Sequence, residues 1–152
     1  MRHKHIPFFS IAVFFLLITF SSFDARSQCK SFVKSGCIPQ MTPYIHDGNY
    51  QAVKMSEGEE AEVYKTIFAG QKYRLLVCKD DVLPDVEFVV TDYNRTILFD
   101  NRKNENVNYW DFKADASQQI KITIRIPKSP KQDNSNQKVV FECIGVLFGL
   151  ME

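Results

Sequence analysis

Isoleucine recurs at every second position through Ile120, Ile122, Ile124 and Ile126, with Lys121, Thr123 and Arg125 between them. Side chains of an extended strand alternate in direction, so this spacing sets four branched apolar groups on one side and three polar groups on the other. A helix would scatter the same residues around its circumference. The segment is therefore a strand with one buried and one wet face, and such a strand needs both sheet neighbours and a second layer to cover it.

The same texture runs from Tyr50 onward. Short β-rich runs at Tyr50–Met55, Ala61–Phe68, Lys72–Lys79, Val86–Thr91, Thr96–Phe99, Val107–Lys113, Gln119–Ile126 and Lys138–Phe148 are separated by turn residues. In Lys72–Lys79 both alternating sets, Tyr73, Leu75, Val77 and Arg74, Leu76, Cys78, are mostly apolar, which places that strand in the interior of its sheet. No stretch holds a helical period for three turns. The expectation is an all-β domain over residues 50–152, an antiparallel, jelly-roll-like β-sandwich of about eight strands. Trp110 and Phe112 should face its core and Tyr109 the solvent. Residues 28–49, with two cysteines, Pro39, Pro43 and Asp47-Gly48-Asn49, read as an irregular preceding segment.

The first residues are of another kind. Basic residues in Met1–His5 precede an apolar run from Phe8 to Phe20, broken only by Ser10 and Thr19. That length fits the roughly 7–15 residues of a signal-peptide core and falls short of the ~20 of a spanning helix. Ala25-Arg26-Ser27 supplies the small-residue cleavage pattern, so residues 1–27 are expected to be removed after Ser27. An uncleaved anchor, or lipidation at Cys29, fits the same stretch less well. Removing Arg2, Lys4, Arg26 and Asp24 takes the net charge from +1 to −1, which leaves no electrostatic case for nucleic acid or an acidic membrane.

All four cysteines, Cys29, Cys37, Cys78 and Cys143, follow the expected cut, and an even count in an exported chain reads as a disulfide framework. Four cysteines allow three pairings; the expected one joins Cys29 to Cys37 and Cys78 to Cys143. Their spacing matches no zinc-ligand pattern.

Candidate chemistry is sparse. His46 stands in the irregular segment with no nucleophile motif beside it. Glu57, Glu59, Glu60 and Glu62 cluster around one hairpin, with Glu60 and Glu62 on one outward face. Asp80, Asp81 and Asp85 share a loop and are the better candidates for calcium, which takes six to eight oxygen ligands. Tyr64, Tyr93 and Tyr109 would form a stacking platform for sugar rings if they shared a face. Asn94-Arg95-Thr96 matches the N-glycosylation pattern, and its place in a turn explains it equally well. The segment 127–137 (PKSPKQDNSNQ) reads as a polar loop.

Three stretches together, AEVYKTIFAGQKYRLLV (61–77), DVEFVVTDYNRTILFDN (85–101) and YWDFKADASQQIKITIRI (109–126), resemble the bacterial pre-peptidase C-terminal type of β-sandwich. GEEAE, GQKYRLLVC, LFDN, WDF and CIGVLFG are similar to small exported proteins of Bacteroidetes-type bacteria. The resemblance implies a non-catalytic accessory that binds polymers or calcium. The expected role is an exported binding or interaction module for a glycan or protein outside the cytosol, with assembly into an envelope complex as the alternative.

Overall fold

The computed structural model describes residues 25–80, 85–128 and 140–151. Its strands are β1 (Ile45–Met55), β2 (Glu60–Ile67), β3 (Lys72–Lys79), β4 (Glu87–Thr91), β5 (Ile97–Asp100), β6 (Tyr109–Lys113), β7 (Gln118–Arg125) and β8 (Glu142–Met151). All eight expected strands are present, with ends displaced by a few residues. They form two four-stranded sheets of order β1-β8-β3-β6 and β2-β7-β4-β5, and every pair is antiparallel. In each sheet, strands distant in the chain lie side by side, which is the jelly-roll arrangement. The expected leader lies outside the described residues up to position 24.

The isoleucine alternation sets one half of the core. Ile120, Ile122 and Ile124 of β7 are fully buried against Phe88 and Val90 of β4, and against Leu75, Val77, Ile144 and Val146 from the facing sheet. Burying a side chain of that size stabilises by roughly 1.5–3 kcal/mol. A row of rings crosses the sandwich from Phe88 through Phe99, Trp110 and Phe112 to Tyr73, with centroids 5.4, 5.3, 3.9 and 5.5 Å apart. Trp110 and Phe112 pack on the core while Tyr109 is exposed, as the alternation along β6 requires.

The segment 28–49 departs from expectation. An α-helix, α1 (Ala25–Phe32), runs into it, followed by a π-helical turn at Val33–Cys37 and a 3₁₀ turn at Ile38–Met41. A cis Thr42–Pro43 bond follows, and β1 already begins at Ile45. The apolar stripe of this cap is narrow: Cys29, Val33, Cys37 and Met41, spaced by four, are its buried residues. Val33, Cys37 and Met41 form a second cluster with Leu76, Cys78 and Leu147, on the outer side of the β1-β8-β3-β6 sheet. That sheet is therefore covered on both faces, and is called the capped sheet below. The β2-β7-β4-β5 sheet carries no further layer among the described residues and is called the open sheet.

Candidate functional site

Two disulfides hold the cap to the capped sheet, and their pairing corrects the sequence expectation. Cys29 bonds Cys143 of β8, and Cys37 bonds Cys78 of β3. The reason lies in the helical cap. Cys29 and Cys37 sit eight residues apart on one face, about 12 Å at helical rise, too far for a bond to each other. Cys78 and Cys143 both point outward from neighbouring strands, where each meets a cysteine of the cap. β8 makes room for this contact with glycine. A Cβ on Gly145 would lie 2.7 Å from Cys78 Sγ and 2.8 Å from Val33 Cγ2, and one on Gly149 would lie 2.5 Å from Met41 Cε.

The end of the cap is latched by Arg74 of β3. Its Nε and Nη2 donate to the two carboxylate oxygens of Asp111 at 2.7 and 2.6 Å, and Nη1 donates to the Thr42 carbonyl at 3.0 Å. The guanidinium lies between the rings of Tyr44 and Tyr109, 4.6 and 4.8 Å from their centroids. The bond to Asp111 raises the pKa of Arg74 further, and burial together with Asp111 raises that of the Tyr44 phenol. With its three nitrogens bonded and two rings against it, this arginine is a fastener rather than an open binding group.

The open sheet's outer face is built differently. Cross-strand register sets Tyr64, Lys121, Thr91 and Ile97 in one row, Glu62, Thr123, Val89 and Asp100 in the next, and Glu60, Arg125 and Glu87 in a third. Glu62 accepts from Lys121 Nζ and from the Tyr64 hydroxyl, both at 2.8 Å. Those bonds lower the Glu62 pKa, Lys121 contributing most, while Glu62 raises the pKa of both its donors. The Tyr64 ring is thus held by its tip and remains 56% exposed. The β4–β5 hairpin adds Tyr93, 77% exposed, and Arg95, whose φ of 65° places it at the left-handed position of the turn. Arg95 lies near enough to Lys121 for their charges to oppose. Thr91 Oγ1 is shielded and has no hydrogen-bond partner.

The three candidate tyrosines do not meet on one face. Tyr64 belongs to the open sheet and Tyr93 to its hairpin, whereas Tyr109 stacks on Arg74 of the capped sheet. Glu60 and Glu62 do share the outward face of β2, an edge strand. Glu59 instead accepts from the Ser56 amide at 2.8 Å in the hairpin. Of the calcium candidates, Asp80 directly follows β3, Asp85 precedes β4, and Asp81 lies outside the described residues. Among the described residues no three His, Cys, Asp or Glu side chains stand close enough to hold a metal ion. His46 lies at the bulged start of β1, with Nε2 3.2 Å from the Asn49 carbonyl oxygen. Most of the 127–137 loop, from residue 129 onward, is also outside the described residues.

Sequence reasoning missed a buried bracket at Asp100-Asn101. Asn101 is fully buried; its Oδ1 accepts from the Phe88 amide, and its Nδ2 donates to the carbonyls of Val86 and Val107. Asp100 accepts from the Arg102 backbone amide and from its guanidinium, which lowers the Asp100 pKa. The signal was an Asp-Asn pair immediately after a strand, a pattern that caps and turns use.

No family model matches this chain, and no curated protein matches it. Among solved structures, it is similar to PliG of Aeromonas hydrophila, a periplasmic lysozyme inhibitor of g-type lysozyme. The identity is 10% and the TM-score 0.49, over 72% of this chain and 89% of that one. A likeness at that level bears on neither ligand nor site residues.

Proposed function

We propose that this chain is an exported, non-catalytic binding module that works outside the cytosol. The observation that carries the reading is the difference between the two outer faces. One is sealed by a cap with two disulfides, the other presents Tyr64, Ile97 and, from its hairpin, Tyr93 to solvent. Disulfides form and persist in oxidising compartments, which supports the expected leader. The resemblance to pre-peptidase C-terminal domains, which accompany enzymes without catalysing, points the same way. Retention of the mature, oxidised chain by a bacterial envelope fraction, or by members of a glycan array, tests it. Retention on neither overturns it.

Assembly into an envelope complex is the second reading, favoured by one feature. β5 is a four-residue edge strand on which Ile97 and Leu98 are both exposed, and such an edge invites pairing with another chain. Light scattering on the purified chain separates the two. A monomer supports the binding module and a stable oligomer the assembly role.

A further inference from the structure

Resting on the binding-module reading, we infer that the open sheet's outer face is the binding surface and that its ligand is an acidic polysaccharide, with a sugar ring stacked on Tyr64 and a uronic carboxylate held by Arg95 and Lys121. The row from Tyr64 to Ile97 crosses three strand spacings, about 14 Å, and so fits a short run of sugar rings rather than one small molecule. An exposed aromatic face, steadied by the Glu62–Tyr64 bond, stacks on the apolar face of a sugar.

At the Tyr64–Lys121–Thr91 end of the face the charge argues for an acidic sugar. The Glu62 carboxylate is already bonded to Lys121 and Tyr64, and Glu60 and Glu87 lie two rows away beside Arg125. Arg95 stands in the turn that follows Thr91, the cross-strand partner of Lys121, near enough for the two charges to oppose. Of the two, among the described residues, Lys121 alone has a carboxylate bonded to it, Glu62. The hairpin's own carboxylate, Asp92, accepts from the Thr96 amide. An incoming carboxylate relieves the repulsion between the cations and gives the arginine a planar partner. The unpartnered Thr91 hydroxyl lies in the same row, between Lys121 and Ile97. A ligand that shifts the covering side chains brings it a hydrogen bond. The Arg74 site on the opposite sheet makes the contrast, since each of its three guanidinium nitrogens already donates a bond.

Titration calorimetry of the mature, disulfide-intact chain tests this with polygalacturonate, the same polymer methyl-esterified, and neutral dextran. The expected result is binding to polygalacturonate that weakens with added salt and is at least about tenfold weaker for the ester. Tyr64→Ala and Arg95→Asn should each lower affinity about tenfold or more, which corresponds to about 1.4 kcal/mol. Asparagine is chosen because it tolerates the left-handed turn position. Lys54→Gln, on the exposed side of β1 in the capped sheet, serves as the charge-matched control and should bind as the parent chain does. Equal binding to acid and ester, no binding to either, or indifference to both substitutions overturns the inference. Retention on an envelope fraction is measured alongside with the same variants. Retention indifferent to Tyr64→Ala and Arg95→Asn sinks this site and leaves the binding-module reading standing, whereas no retention on the envelope fraction or a glycan array, with no binding in calorimetry, sinks both.

Discussion

The two sheets of this sandwich share a core but treat their outer faces in opposite ways. The capped sheet buries both sides: Leu75, Val77, Ile144 and Val146 face inward, while Leu76, Cys78 and Leu147 face the cap. Among the described residues the open sheet buries only one, and its other side carries the Lys121–Glu62 ion pair with the Tyr64 hydroxyl bonded to the same carboxylate. The difference divides the labour. Stability is concentrated where strands are covered twice and covalently tied, and that leaves the other face free to be polar, aromatic and exposed.

The strongest way to break the comparison is to release the cap. Replacing Cys37 and Cys78 by serine opens a tie spanning 41 residues, worth about 4 kcal/mol in the chain-entropy model. Replacing Cys29 and Cys143 opens one spanning 114 residues, worth about 5 kcal/mol by the same reasoning. Urea unfolding of each variant should show losses of that order; a loss below about 1 kcal/mol for both would mean that the cap does not depend on its ties.

Next in size is Gly145→Ala. The added methyl meets Cys78 Sγ and Val33 at under 3 Å, and overpacking of this kind costs about 1–3 kcal/mol. Thr123→Ala, on the outer face of the open sheet, should stay within about 0.5 kcal/mol. Equal effects would erase the asymmetry between the faces.

Acid sharpens the comparison at one point of the open sheet. Arg102 holds the Asp100 carboxyl below its ordinary pKa, and the Asp100 side chain is only 3% exposed. Because the folded-state pKa is depressed, the stabilisation is present at neutral pH. It is lost as pH falls through the ordinary carboxylate range to the lowered value. Thermal melts from about pH 7 to about pH 3 should show a steeper acid loss for the parent chain than for Asp100→Asn. Parallel curves would remove Asp100 from the account. The smallest expected effect belongs to Glu62→Gln. Its partners Tyr64 and Lys121 are exposed surface groups, so the melting temperature should not move measurably, although the Tyr64 ring loses its anchor and sugar binding should weaken. A clear drop in melting temperature would show that the Glu62 bonds are structural.

Legibility from sequence followed the same division. β7 and β3 were readable because period-2 alternation, single-sided in one and double-sided in the other, reports directly on burial. The inward Trp110 and Phe112 and outward Tyr109 followed from that rule. The cap was not readable by the same means, since a helix covering one sheet with four side chains needs only Cys29, Val33, Cys37 and Met41, a stripe too sparse to outweigh Pro39 and Pro43. The cysteine pairing depends on that helix, because it turns Cys29 and Cys37 toward two different strands and not toward each other. The open face was partly visible: Tyr64 and Tyr93 belong to it. Tyr109 does not, and sequence shows exposure but not which sheet a strand joins.

The map of the disulfides in the oxidised chain is the most direct test of a sandwich sealed on one side. Lys30 and Lys34 separate Cys29 from Cys37, Lys54, Lys65 and Lys72 separate Cys37 from Cys78, and Lys79 and Lys138 separate Cys78 from Cys143. Non-reducing tryptic mass spectrometry therefore distinguishes all three pairings. The structure requires a Cys29 peptide joined to that of Cys143 and a Cys37 peptide joined to that of Cys78. Cys29 found with Cys37, and Cys78 with Cys143, would leave the cap untied and contradict the division between a closed face and an open one.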